Sequence, residues 1–299
     1  MGTPDFAVPS LDILVKNGYE VVGVVTATDK LGGRSRKQLL QSPVKKYAVE
    51  HQIPVLQPKN LKSEAFLQEL RSLQADLQVV VAFRMLPEVV WDMPSRGTFN
   101  LHGSLLPKYR GAAPINWAII NGETTTGVTT FMIQHQIDTG DILFQESLPI
   151  GENETAGEVH DRMMQLGAKV VLKTVRAIEK EAFELKEQDS QLASKAPKLY
   201  HETSEIDFHQ PCIVVHNFIR GLSPYPAAWT RLEEQKLKIL RTRILPKSHS
   251  HDPGSFHSDD KNYIRIACLD GYIEVQELQL QGRKKMNVKD FLNGYSFES

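Results

Sequence analysis

The sequence predicts an α/β protein: a doubly wound, mostly parallel Rossmann-like sheet followed by a second, smaller C-terminal β-barrel of OB-like type. Three observations carry this expectation. Over roughly the first 150 residues, short apolar runs alternate with amphipathic stretches, the pattern of strands joined by helices. Runs such as Val79, Val80 and Val81 are continuously apolar, as strands covered on both faces are. Beyond residue 206, short strand-like runs and turn signals crowd together in the way of a small barrel.

Taken in order, "YEVVGVVTA", "LQVVVAF", "GTFNLH", "GVTTFMI" and "DILFQESL" predict strands. Between them "DFAVPSLDILVKNG", "SPVKKYAVEH", "SEAFLQELRSLQ" and "AAPINWAIING" predict helices. A long helix follows. Thr155 and Glu158 form a capping box, and Val159, Met163, Leu166, Val170, Thr174 and Ile178 recur at helical spacing. Residues 186–205 are polar, aperiodic and contain Pro197, so they predict a linker between a domain over 1–185 and another over 206–299. In the second domain, a short helix at "CIVVHNFIRGL" precedes strands at "AAWTRLEE", "KLKILRTRIL", "NYIRIACL" and "GYIEVQELQLQ", with Asp270 and Gly271 as a hairpin turn.

The 299 residues are enough for two separate cores. No apolar run approaches the ~20 residues of a membrane span, and Asp5 interrupts any signal-like start, so a cytoplasmic protein without a membrane partner is expected. Cys212 and Cys268 form neither a CxxC pair nor a His/Cys cluster, which implies neither a disulfide nor structural zinc. The three histidines of "KSHSHDPGSFHSDD" predict a mobile solvent loop rather than a metal site. With a formal net charge of -1 the whole chain is not an electrostatic partner for nucleic acid, so any such contact must come from local clusters. A monomer is expected.

In "GTFNLHGSLLPKYRGAAP", Asn100 and His102 sit at i and i+2 near a strand end, so their side chains share a face. An amide and an imidazole aimed at one point can stabilise an oxyanion; the same spacing also suits a hydrogen-bonded structural pair. Asp138 heads the turn "IDTGD", where it is either an ordinary turn residue or a carboxylate folded back to orient His102 and accept a proton. Ser104 follows His102 by two residues, but "HGSLLP" is not the G-x-S-x-G elbow of a serine hydrolase.

The block "NLHGSLLPKYRGAAPINWAIINGE", followed by "IDTGDIL", resembles the 10-formyltetrahydrofolate-dependent formyltransferases. The resemblance implies that Asn100, His102 and Asp138 are catalytic. It also implies that Ser104, Leu105, Leu106 and Pro107 bind the folate co-substrate, 10-formyltetrahydrofolate, without a metal. The opening "GTPDFAVPSL", the segment "SPVKKYA" and "LDGYIEVQELQLQGRKKMNVKDFLNG" resemble the branch whose partner is initiator methionyl-tRNA. In that branch a basic insertion enters the acceptor end of the tRNA. Here the corresponding stretch, "KLGGRSRKQLLQSPVKK", holds Lys30, Arg34, Arg36, Lys37, Lys45 and Lys46 with no acid. Arg34, Arg36 and Lys37 are the candidate contacts, Arg34 foremost. Arg283, Lys284 and Lys285 form a second basic cluster, equally compatible with tRNA backbone contact and plain surface charge.

Two departures from the family stand out. "AFRMLP" replaces a glycine-containing loop at the folate-pocket wall. The family's short apolar strand before "GTPDF" is missing ahead of Met1, Gly2 and Thr3, which would leave two rows of backbone groups unpaired inside the sheet. The expectation is that Met1 is an internal methionine and that the natural chain starts several residues earlier. Two other functions compete. A formyltransferase for a nucleotide-linked amino sugar would use the same three residues but has no need of an acid-free basic loop. A non-catalytic RNA-binding protein with an OB-type module would explain the basic patches but leave Asn100, His102 and Asp138 without a purpose.

Overall fold

The computed structural model describes residues 1–32 and 38–297. By its contacts the chain divides into two compact units that are not contiguous in sequence. The first comprises Met1–Gly111, Gly127–Leu148 and His160–Lys195; the second comprises Ala112–Thr126, Pro149–Val159 and Ala196–Ser299.

The first unit carries the α/β sheet. Strand Gln78–Val81 runs parallel to Thr98–His102, which pairs antiparallel with Thr125–Met132, and Ile142–Pro149 completes this sheet. A separate parallel pair joins Val24–Val25 to Val55–Leu56. Between the two pieces lie Met1 and Gly2. The Gly2 N–H donates to the Val25 carbonyl (3.1 Å), the Val81 N–H donates to the Met1 carbonyl (2.9 Å), and the Met1 amine donates to the Val79 carbonyl (2.6 Å). Of the strand predicted over "YEVVGVVTA" only Val24–Val25 pairs in a sheet. Residues 19–25 and 74–79 instead line a cavity of about 640 Å³, with Leu14, Leu70 and Ile178 among its other walls.

Apolar periodicity explains the helices of this unit. Val8–Lys16, Pro43–Glu50 and Glu64–Ser72 bury Leu14, Val44, Ala48, Phe66, Leu67 and Leu70, and Ser42 caps the second of them by accepting the Lys45 N–H. The long helix Ala156–Glu179 buries Met163, Val170, Val171, Thr174 and Ile178. Gly167 lets it approach the sheet closely, since a Cβ there would stand 2.7 Å from the Leu101 Cδ2. That contact takes Leu101 on the helix side and leaves Asn100 and His102, one step out of phase, on the opposite face of their strand.

The second unit is a curled antiparallel sheet. Its strands run in the order Ala228–Leu232, Gln235–Leu245, Tyr272–Leu280, Ile264–Ala267, Phe256–Ser258, with Met286–Asn287 also paired to Tyr272–Leu280. A register shift near Arg241 bends the longest strand, as bulges do. Helix Cys212–Leu222 closes the core through Val215, Ile219 and Leu222 against Leu237, Ile239, Ile266 and Ile273. The capping box forms as predicted: Thr155 Oγ1 accepts the Glu158 N–H (3.3 Å), and Glu158 Oε2 accepts the Thr155 N–H (2.8 Å).

Two expectations differ from the structure. Residues 186–205 are not a free polar tether: Gln188, Ala196 and Ser204 are buried, and Lys186 exchanges both backbone hydrogen bonds with Ile142. The histidine-rich stretch is tied down as well. His249 bonds the Gly271 carbonyl and packs on Tyr272, and His251 lies against His257. Cys212 and Cys268 are buried thiols, and burial pushes both up from the usual thiol range, Cys268 to about 11. Among the described residues, no helix is long and apolar enough to cross a membrane.

Candidate active site

The site is built at the end of strand Thr98–His102. Asn100 lies opposite Val80 on one side and Phe131 on the other, and His102 lies opposite Thr129, so both side chains are held by a strand that is paired along both edges. Among the described residues the Asn100 side chain has no hydrogen-bond partner, which leaves its amide free for a ligand. His102 is buried and has both ring nitrogens engaged. Its Nε2 donates to the Tyr109 carbonyl (2.8 Å), and its Nδ1 faces Asp138 Oδ2 at 3.8 Å.

Asp138 reaches His102 because the "IDTGD" turn folds back. Its φ of 56° is left-handed, an uncommon backbone state for a residue with a Cβ. The carboxylate is fixed by a hydrogen bond from the Gly111 N–H to Oδ2 (2.9 Å). The structure therefore sets Asp138 against His102, with Asn100 on the strand face it shares with His102.

The segment Ser104–Pro107 runs from His102 into a buried loop with a cis Leu106–Pro107 peptide bond. Ser104 donates to the Lys108 carbonyl (2.6 Å), and its own carbonyl accepts from Thr129 Oγ1 (2.7 Å). The Leu106 N–H donates to Thr129 Oγ1 (3.1 Å), and its side chain packs with Phe131 and Ile142. Ser104 and Leu106 are thus internal, and half-buried Leu105 and Pro107 are the members of this segment left with accessible surface. A cavity of about 360 Å³ borders the Asp138 turn, lined by Trp91, Ile133, Gln134, His135, Gln136 and Thr139. The larger cavity in the sheet is lined by none of Asn100, His102 and Asp138.

The expected tRNA contacts form two clusters in the sequence. Arg34, Arg36 and Lys37 lie outside the described residues. Of the other cations in that stretch, Lys45 is committed to Asp29 (2.5 Å) and Gln57 (2.8 Å), so it is a structural pair and not a spare phosphate ligand. Arg283, Lys284 and Lys285 are exposed on the turn after strand Tyr272–Leu280, where Lys285 pairs with Glu277. Among the described residues, no group of three or more His, Cys, Asp or Glu could hold a metal ion.

Sequence reasoning missed the residues that hold the site in place. Gln188 and Ser194 lie in the predicted linker, and Arg110 and Tyr109 in a loop. Each is placed by long-range hydrogen bonds that leave no periodic trace in the sequence.

An α/β sheet that carries Asn100 and His102 on one face of a strand, with Asp138 turned toward His102, agrees with the formyltransferase resemblance. The chain belongs to the formyl transferase family: the family's N-terminal model matches residues 1–175 and its C-terminal domain model residues 198–296. Among curated relatives, the methionyl-tRNA formyltransferase of Parabacteroides distasonis is 54% identical, over 99% of this chain and 94% of the relative. That of Bacteroides fragilis is 52% identical over the same shares. Of solved structures, a sugar 3N-formyl transferase crystallised with dTDP and 5-N-formyl-THF matches with a TM-score of 0.70. It is 22% identical, with 95% of this chain and 97% of that one covered, which supports the fold.

Proposed function

We propose that this chain is a methionyl-tRNA formyltransferase, which moves the formyl group of 10-formyltetrahydrofolate onto the α-amine of methionine carried by initiator tRNA. The product, formylmethionyl-tRNA, serves translation initiation in the cytoplasm. The observation that carries the chemistry is the unpartnered Asn100 amide beside a His102 and Asp138 pair on one strand face. The acceptor is supported by more than 50% identity to curated enzymes of that name across nearly the whole chain.

As the amine attacks the formyl carbon, negative charge grows on the formyl oxygen, and the preformed Asn100 N–H donor meets it without reorganising. His102 joins by exchanging the Tyr109 carbonyl for this oxygen, since Asp138 faces its other nitrogen. Asp138 takes the proton released by the amine, which is returned to the departing folate nitrogen as the bond from that nitrogen to the formyl carbon breaks. One C–N bond forms, one breaks, and the proton lost by one nitrogen is gained by the other. In the folate-binding segment, Leu105 and Pro107 offer the accessible surface that meets the folate, while buried Ser104 and Leu106 anchor the loop that presents them. Arg34, Arg36, Lys37, Arg283, Lys284 and Lys285 meet tRNA phosphates.

The test offers charged initiator tRNA, free methionine and a nucleotide-linked amino sugar as acceptors with 10-formyltetrahydrofolate. Transfer to the charged tRNA alone is the expected result. Preferred transfer to the amino sugar would replace this reading.

A further inference from the structure

We infer that Gln188 is a positioning residue for formyl transfer, acting through the backbone of the turn that presents Asp138. The inference rests on the proton-transfer role proposed for Asp138. Gln188 is buried although it lies in a polar, aperiodic segment, and a buried amide is tolerated only when its donors and acceptor are satisfied. Here all of them are. Its Nε2 donates to the carbonyls of Asp138 (3.0 Å) and Gly140 (2.7 Å), and its Oε1 accepts from Nε (3.1 Å) and Nη2 (2.7 Å) of Arg110.

The two carbonyls lie at either side of Thr139, so one amide group spans the turn in which Asp138 has a φ of 56°. A left-handed residue with a Cβ persists only where its surroundings over-determine it, and two hydrogen bonds from one rigid amide do so. Arg110, held on the oxygen side, precedes Gly111, whose N–H grips the Asp138 carboxylate. Both ends of Asp138, the main-chain carbonyl and the carboxylate, are therefore referred to one side chain. Six residues on, Ser194 supports the same loop: its Oγ accepts the Tyr109 N–H (2.9 Å) and its carbonyl accepts the Arg110 N–H (2.8 Å). Tyr109 in turn offers its carbonyl to His102. The segment 188–194 works as a rack behind the site.

The amide is required as an amide. Glutamate of the same shape keeps the Arg110 half and strengthens it with charge, but turns a carboxylate oxygen toward the carbonyls of Asp138 and Gly140, where acceptor meets acceptor. Gln188→Glu therefore separates turn control from simple packing. Displacement of a proton-transfer group by about 1 Å is expected to lower kcat on the order of 10-fold to 100-fold, with KM for the folate within about twofold.

The experiment measures kcat and both KM values for wild type, Gln188→Glu, Gln188→Met, Asp138→Ala and the double variant Gln188→Glu/Asp138→Ala, with circular dichroism and thermal unfolding on each. Gln188→Met removes the hydrogen bonds without adding charge, and it carries the test if the glutamate variant fails to fold. The expected result is a kcat loss in either Gln188 variant, with KM held, and almost no further loss when Gln188→Glu is added to Asp138→Ala. Two results overturn the inference alone: wild-type kcat in a folded Gln188 variant, or a loss that multiplies fully with that of Asp138→Ala. Normal turnover in Asp138→Ala overturns the mechanism and this inference together.

Discussion

Alanine in place of Gly140 puts a methyl carbon 1.6 Å from the carbonyl oxygen of Met132 and 2.9 Å from its carbonyl carbon. Both atoms are backbone, so no side chain can swing away. An ordinary C···O contact is about 3.3 Å or more, so the turn must retreat by roughly 1.7 Å. Two hydrogen bonds straddle the point of retreat: Met132 N–H to the Asp141 carbonyl (3.0 Å) and Gln188 Nε2 to the Gly140 carbonyl (2.7 Å). Leaving buried partners unsatisfied costs about 1–3 kcal/mol each, so the stability loss is on the order of 2–6 kcal/mol. For a unit of this size that corresponds to a fall in Tm of roughly 4–24 °C. Asp138 lies two residues before the substitution, so turnover should fall by about 100-fold as its carboxylate leaves His102. Thermal unfolding and steady-state formylation of Gly140→Ala read both effects. Turnover within twofold of wild type and an unmoved Tm would refute the claim that this turn is held rigidly against the strand Thr125–Met132.

Asn100→Ala and His102→Ala should each lower turnover by about 100-fold or more with binding of a folate analogue retained, and the double variant should lose much less than the summed free energies. Near-normal turnover in either folded single variant removes the oxyanion role. Arg34→Ala should weaken use of charged tRNA and reduce its salt dependence by about one phosphate contact; an unchanged salt slope places that contact elsewhere. Partial burial pushes Glu158 up, but the Thr155 N–H, the Arg241 guanidinium and the Thr155 hydroxyl outweigh it and bring the carboxyl from 4.5 down to about 2. Because the folded value is depressed, the stabilisation is fully present above pH 4.5 and is lost as pH falls toward 2. Urea unfolding of wild type and Glu158→Gln should differ modestly near neutrality and converge toward pH 2, and a gap that stays constant with pH contradicts the capping assignment.

Much of this site was legible in the sequence because strand alternation is a local rule: Asn100 and His102 two residues apart must share a face once Phe99 and Leu101 are buried on the other. The Thr155 and Glu158 box was legible for the same reason, since both partners lie within one helical turn. Gln188 was not, because its burial is decided by carbonyls about 50 residues away and its polar neighbours mimic a tether. The turn "IDTGD" announced a bend, but not the left-handed φ at Asp138 that aims the carboxylate at His102. Lys45 was counted among free cations because Asp29 and Gln57, which hold it, stand outside the basic stretch.

The interleaving of the two units bears on how the chain folds as it is synthesised. The pieces Ala112–Thr126 and Pro149–Val159 leave the ribosome well before Ala196–Ser299, to which their contacts belong. Asn116 must wait for the Gly221 carbonyl, and Ile120 for the core around Ile219. The carbonyls of Gly151 and Glu154 wait likewise for the Arg220 guanidinium. Until the last hundred or so residues emerge, a nascent chain whose first unit is complete carries two unfinished strips, one of them with exposed apolar surface, as chaperone-dependent intermediates do. A break between Lys195 and Cys212 should therefore release a fragment that aggregates through Pro114–Ile120 rather than an independent, soluble half.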